Sequence, residues 1–417
     1  MAEKKKLSSM YKEVLSDSFP DELTVTIGGQ KLRYKKRTWS VEGKRLGLRY
    51  GDNPGQEAAL YELSESNLSI TGCEYVKGGE GNALVSSIAE ADLMESGKHI
   101  GKSNLTDLDN ALSILKHFDE PTAVIMKHNN PCGAASMATI ADAYKEAYAA
   151  DRLAAFGGVA ALNRKVDMAT AQQIMEQYLE VVAAPDFEKE ALDILLKKKN
   201  MRLIRIRNIE KLKEYRNLCH LDFTSLMDGG LILQQSQNQK MRSKEDLIMA
   251  AAESNGKSYV IKRKPTEKEY EDLLFAWKVV QGVVSNAIVF AKNKATIAIC
   301  PGEQDRVGAV EIAIMKAYKK YSDGLSFERF GVPYSQLPQQ KKKEIQSAVA
   351  ELKGNIKGSA IASDGFFPFR DSIDVAAEHG VIAIIQPGGS VKDHEVIEAC
   401  NEHSITMVFT GQRVFRH

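Results

Sequence analysis

The 417-residue chain sets 56 Lys and Arg against 55 Asp and Glu, for a formal net charge of +1. Its apolar fraction of 43% and charged fraction of 27% match ordinary soluble proteins, which excludes bulk disorder. The balanced charge gives no footing for a nucleic-acid partner. At roughly one domain per 150 residues, the length accommodates two or three core-bearing units.

The opening MAEKKKLSS is charged and runs into no apolar stretch of a signal peptide. No segment approaches the ~20 apolar residues of a membrane span. Cys73, Cys132, Cys219, Cys300 and Cys400 are dispersed and form no CxxC pair, which suits a reducing compartment. A cytoplasmic protein without membrane or nucleic-acid partners is expected.

Residues 1–20 read as a short polar helix or tail. ELTVTIGGQKLRYKKRTW alternates apolar and polar residues around Gly28-Gly29, which predicts a hairpin, so residues 1–45 form an N-terminal leader. Three later stretches then repeat one pattern of apolar run, Pro/Gly turn and amphipathic helix. They are TAVIMKHNNPCGAASMATIADAYKEAYAA, KATIAICPGEQDRVGAVEIAIMKAYKK and VIAIIQPGGSVKDHEVIEACNE. The Val/Ile-rich runs predict buried strands, and spacings such as Ile140, Ala143, Tyr144 and Ala147 predict helices lying on them. The turns Asn-Pro-Cys-Gly, Cys-Pro-Gly and Gln-Pro-Gly-Gly would set helix N-termini at strand ends, where layered α/β proteins place ligands. Residues 187–245 read as charged and helical. Residues 325–356 read as a Pro-bounded loop followed by a helix. Two closely packed halves follow, 46–224 and 225–417.

Lys127 and His128 close an apolar run, and histidine titrates near neutrality, so the pair has the composition of a proton relay. Adjacent strand residues point to opposite faces, so both serve one site only where the strand bends or ends. On these residues alone, a relay and a pair split between solvent and core are equally compatible. SDGFFPFRDSID offers Phe366, Phe367 and Phe369 as a wall for a flat heteroaromatic ligand, with Asp371 for its ring nitrogens; the alternative is a core plug with an Arg370–Asp371 pair. Arg49 before a Tyr-Gly turn suits a phosphate or carboxylate, or a surface salt bridge. Asn286 is placed to steady an oxyanion, and Arg306, Arg413 and His417 to meet an anionic group. Eight His and five Cys form no metal-ligand spacing, and neither a P-loop nor a GxGxxG is present.

Taken in order, LRYGDNPGQEAALY, GKSNLTDLDNAL, MKHNNPCGAA, DRLAAFGGVAAL, APDFEKEALDILLKKKN, SNAIVFAKN, PGEQDR, ASDGFFPFRDSID and RVFRH resemble the AICAR transformylase domain, the C-terminal part of the bifunctional purine biosynthesis protein. The resemblance runs from about residue 46 to the end. It implies an α/β fold of two duplicated cytidine-deaminase-like three-layer α/β/α halves, a homodimer with shared sites, and a stand-alone transformylase without the cyclohydrolase domain. The implied reaction is formyl transfer from 10-formyltetrahydrofolate to the 5-amino group of AICAR in IMP biosynthesis. It uses no catalytic metal, with structural potassium a family option. Carried over, Lys127, His128 and Asn286 are catalytic. Arg49, Tyr50, Gly157, Glu180, Lys199, Phe366, Asp371, Arg413 and His417 bind substrate. Arg306, Val307, Phe366, Pro368, Phe369 and Asp371 bind the folate. This chain departs from the family at Gly55 (usually His), Gln281 (usually Lys), Glu180 (usually Asp) and in the Glu303–Asp305 loop. Two other readings stay open: AICAR formylation from formate plus ATP, and a non-catalytic purine-nucleotide-binding protein. The missing P-loop speaks against the first, and the set Lys127, His128 and Asn286 against the second.

Overall fold

The computed structural model describes residues 17–41, 43–75, 81–94, 99–238 and 240–417. The expected helix or tail of residues 1–20 therefore lies almost wholly outside the described residues. The chain forms two compact units, each discontinuous. One holds residues 1–117 and 157–239, and the other 118–156 and 240–417. Contacts thus group residues 118–156, with Lys127 and His128, with the C-terminal residues, in place of a single boundary at 224/225.

In the first unit the hairpin about Gly28-Gly29 is present, with strands Glu22–Ile27 and Gln30–Arg37. Both glycines have positive φ, as a tight two-residue turn requires. The hairpin is no detached leader. Gln30–Arg37 also pairs with Leu60–Ser66, and Leu32 is fully buried. Three short strands of the unit, Val159–Leu162, Val181–Ala184 and Arg202–Arg205, pair in parallel. The first two are apolar and buried throughout, as strands covered on both faces are. Residues 187–245 are less helical than expected. They contain one of these strands and the exposed hairpin Leu221–Ser225/Leu231–Gln235 beside helix Lys189–Leu195. Cys73 and Cys219 bring their thiols to 3.6 Å.

The second unit is built on a mixed sheet. Thr122–Lys127 pairs antiparallel with Asn130–Ser136, which meets Ala295–Cys300 through Ala135 and Ala295. Ala295–Cys300 pairs antiparallel with Ile288–Lys292, and that strand with Ala360–Ser363. Ala383–Gln386 and Thr406–Phe409 then follow in parallel. Helices Ile140–Ala150, Glu267–Val280, Arg306–Phe330, Asp371–Glu378 and Asp393–Glu402 belong to the same unit. Phe290, Ile297, Val310, Phe367, Ile384 and Met407 are among the residues of its core. The second and third strand–turn–helix copies are realised as expected. The first is not, because Asn-Pro-Cys-Gly lies within a strand and the turn falls earlier, at His128-Asn129. Gly133 in that strand is needed for packing: a Cβ there would lie 2.0 Å from the carbonyl oxygen of Ala147 on the covering helix. The long helix runs through Phe330, so the loop expected from 325 begins at Gly331, whose φ of 70° ends the helix.

Candidate active site

Lys127 is the last residue of its strand, and the register Lys127↔Asn130 leaves a two-residue turn. His128 and Asn129 both take left-handed backbone, with φ of 52° and 62°. The strand thus ends where the pair stands, which removes the opposite-face constraint on adjacent residues. His128 is exposed and Lys127 half-buried, with its Nζ donating to the carbonyl of Phe156 at 2.7 Å. A cavity of about 250 Å³ opens beside them, lined also by Asp151, Lys316 and Lys320. A larger cavity of about 470 Å³ in the first unit, walled by Leu60, Leu63, Leu105 and Leu112, includes none of the expected site residues.

The turn is tied to the segment leading to Asn286. Val284 N donates to Asn130 Oδ1 at 3.0 Å. Arg416 Nη1 donates to the carbonyls of Asn129 (2.8 Å) and Gly282 (3.1 Å), and its own carbonyl accepts from Ser285 N at 2.9 Å. Asn286 donates through Nδ2 to Gln304 O at 3.0 Å and accepts at Oδ1 from Arg306 Nη2 at 2.6 Å.

Arg306 does not offer its charge to an anion at the surface, as expected of it. It is 7% exposed, and its Nη1 is held by Asp364 and by Ser363 Oγ at 3.1 Å. Desolvation explains the difference: a guanidinium this deep needs a carboxylate partner, and Asp364 is fully buried. Arg306 therefore orients Asn286. Val307 follows it at the start of the same helix. Asp305 Oδ1 accepts from Gly308 N at 2.6 Å, so the acidic departure beside Arg306 serves as the helix N-cap.

The FFPF segment divides. Phe366 and Phe369 are 43% and 54% exposed on either side of Pro368, while Phe367 is fully buried and its N–H donates to Gln386 Oε1 at 2.9 Å. The two outer rings are available to a ligand, and the middle one plugs the core. Asp371 is exposed and begins helix Asp371–Glu378. Arg370 pairs with Asp374 (2.9 Å) and Glu402 (2.6 Å), not with Asp371. The C-terminus is built in: Val414 is fully buried and donates to Asp364 O at 2.9 Å. Arg413 and His417 flank it, exposed, and each lies near the Phe415 ring.

The first unit groups another set. Arg49 is 7% exposed, 5.0 Å above the Tyr50 ring, with no hydrogen-bond partner at Nε among the described residues. Glu180 Oε2 accepts from Asn104 Nδ2 at 3.0 Å and lies 3.8 Å from Arg202. Burial pushes the Arg202 guanidinium down, Glu180 opposes this, and the like charge of Arg49 adds to it. Arg49 and Arg202 thus bring two positive charges to this corner against the one carboxylate of Glu180. Gly157 holds φ 74° and donates to Tyr178 O at 2.7 Å. Lys199 is exposed, whereas its neighbour Lys198 is fixed on the carbonyls of Ile174 and Gln177. Asn130, Asp364, Arg416, Asn104 and Arg202 join these groups without having been singled out in the sequence. Asn104, Asn130, Asp364 and Arg416 sit inside the motifs GKSNLTDLDNAL, MKHNNPCGAA, ASDGFFPFRDSID and RVFRH.

His99 belongs to the same corner, edge-on to Trp39 at 5.5 Å and bonded through Nε2 to the Gly47 carbonyl. Burial lowers its pKa below 6.5, the Gly47 bond opposes, and Arg202 and Arg49 lower it further. The unfolded chain thus takes up this proton first. The histidine's contribution to stability is intact above about pH 6.5 and is lost as the pH falls toward the lower folded value. His99→Gln is expected to flatten the urea-midpoint profile between about pH 7 and 5; an unchanged slope would refute this.

Among the described residues, no three His, Cys, Asp or Glu side chains group as a metal site, and no helix is long and apolar enough to cross a membrane. The profile of the AICARFT/IMPCHase bienzyme family matches residues 6–316. The chain is 41% identical over 97% of its length to the bifunctional purine biosynthesis protein PurH of Persephonella marina, covering 62% of that protein. It is 38% identical to PurH of Caldicellulosiruptor saccharolyticus over 98% of its length, covering 63%. For PurH of Bacillus subtilis the figures are 37%, 97% and 62%. The chain thus spans less than two thirds of the relatives it matches.

Proposed function

Because the chain belongs to the AICARFT/IMPCHase bienzyme family, we propose that it transfers a formyl group from 10-formyltetrahydrofolate to the 5-amino group of AICAR, releasing formyl-AICAR and tetrahydrofolate in IMP biosynthesis. The observation that carries this reading is the strand-end pair Lys127 and His128, tied through one hydrogen-bonded network to Asn286. The amine of an aminoimidazole carboxamide is delocalised and weakly nucleophilic, so holding the two reactants in line is the first contribution, worth up to about 7–11 kcal/mol. The amine nitrogen bonds to the formyl carbon as His128 takes the amine proton. The second N–H of Asn286 Nδ2 steadies the resulting oxyanion. The C–N10 bond then breaks as Lys127 delivers a proton to N10.

In this reading Arg49, Tyr50, Lys199, Arg413 and His417 hold AICAR and its phosphate, with Gly157 and Glu180 as further substrate contacts. The buried, partly unpartnered Arg49 supports the anion role. The exposed rings of Phe366 and Phe369, with Pro368, Val307 and Asp371, face the pterin, while Arg306 acts through Asn286. A homodimer with shared sites and a duplicated cytidine-deaminase-like fold complete the proposal. The second is supported by a repeat along the chain. A hairpin, a helix and three parallel strands occur at 122–205 and again at 288–409. A structural potassium ion would find a buried, unpartnered carboxylate oxygen at Asp364 Oδ2. When bound it would give that oxygen a partner and take no part in the chemistry.

The test follows tetrahydrofolate release by the purified protein with AICAR present and absent. Release that requires AICAR is expected. Turnover with formate plus ATP but not with the folate, or AICAR binding with no turnover from either donor, would overturn the assignment.

A further inference from the structure

We propose that Arg416 is a positioning residue, which fastens the turn presenting His128 to the segment presenting Asn286. The proposal rests on the catalytic reading of that pair. Two-residue hairpin turns with positive φ at both positions favour Asn-Gly, because side chains crowd the left-handed backbone. This turn carries His-Asn instead, at φ 52° and 62°. It therefore gains from ties outside its own hairpin, and the structure provides them on one side.

Arg416 divides the two N–H groups of one guanidinium nitrogen between the carbonyls of Asn129 and Gly282, at 2.8 and 3.1 Å. Its own carbonyl accepts from Ser285 N at 2.9 Å, next to Asn286. Asn130 adds a parallel tie through its Oδ1 to Val284 N, while its Nδ2 closes the turn on His128 O at 3.3 Å. The neighbouring hairpin offers a comparison. Its turn, Asn293-Lys294, also has positive φ at both residues, and it too is anchored from outside, by Asp272 Oδ1 on Lys294 N at 2.7 Å and by Ser136 N on Lys294 O at 2.9 Å. External anchoring thus goes with this unfavourable turn in both hairpins. At His128 the anchor is a cation from the C-terminal segment, whose two acceptors lie one residue after His128 and four residues before Asn286. Removing the guanidinium leaves His128 and Asn286 in the chain but frees their separation to vary.

Arg416→Met and Arg416→Lys would be compared with the wild type in single-turnover and steady-state formyl transfer. The methionine variant is expected to lose about 10–100-fold in kcat, with KM for AICAR and for the folate within about twofold, since orientation is lost and binding is not. Lysine, which retains a donor of two bonds, is expected to recover most of the loss. An assay-independent readout is the NMR resonance of the His128 Cε1 proton, assigned with His128→Asn. In Arg416→Met its resonance is expected to broaden or split, because the turn is no longer held in one place. An unchanged kcat with an unchanged His128 resonance would overturn the proposal, as would an equal rise in both KM values at constant kcat. Should Arg416→Met fail to fold, the lysine variant carries the same comparisons. If the wild type proves inactive with every donor, the catalytic reading fails, and the NMR comparison still judges the anchoring.

Discussion

His128→Asn is expected to slow formyl transfer by about 10²–10⁴-fold while leaving the thermal midpoint nearly unchanged. The choice of asparagine follows from the backbone. At φ 52°, alanine would add strain at the turn and displace Lys127 with it, so a lost rate could be blamed on geometry. Asparagine tolerates left-handed backbone best among the residues with a side chain, and it fills the next position of this turn already. It offers an amide in place of the imidazole and cannot take up the amine proton. The limb of the pH–rate profile that reports the histidine should vanish with it. A single-turnover rate within a few-fold of wild type would remove His128 from the chemistry.

Arg306→Met is expected to cost about 3–5 kcal/mol of stability by urea denaturation. The pair it breaks is almost dry, with side-chain exposures of 6% for Arg306 and 0% for Asp364. The substitution strands the Asp364 carboxylate with Ala287 N, at 3.0 Å, as its remaining donor in the network described. Adding Asp364→Asn, which removes the stranded charge, should restore much of the stability. It should not restore activity, because Asn286 Oδ1 has still lost the 2.6 Å bond that orients it. Full recovery of rate in the double variant would show that Arg306 serves folding alone.

The contrast between these residues shows how far the sequence carries. The Ala/Ile-rich runs at 295–300 and 383–386, and the helices after them, are legible because burial on both faces leaves an apolar signature that needs no partner to read. The turn at His128-Asn129 is not. Pro131 and Gly133 drew the expected turn toward themselves, yet Pro131 sits beside a register shift where its missing N–H is tolerated. Gly133 is there for a helix that packs against it. Arg306 looked like a ligand contact because its carboxylate partner lies 58 positions away, and no local pattern announces that pairing. Glu180 is found through the resemblance, and Arg49 through the Tyr-Gly turn that follows it. Asn104 and Arg202, which set their surroundings, are brought to them by the fold and by no local pattern.

The return of residues 118–156 to the C-terminal unit also bears on how the protein is made. During synthesis the hairpin of Lys127 leaves the ribosome with its inner face formed and its outer edge unpaired. Ala295, which meets Ala135 across that edge, emerges roughly 160 residues later, a delay on the order of ten seconds at 5–20 residues per second. Through that interval a strand pair, apolar but for Thr122, Lys127, Asn130 and Ser136 at its ends, waits for its neighbours, exposed to other nascent chains. Slow release from the ribosome or a bound holdase would therefore favour active protein. Splitting the gene at the apparent midpoint would yield two fragments, neither of which contains a whole folding unit.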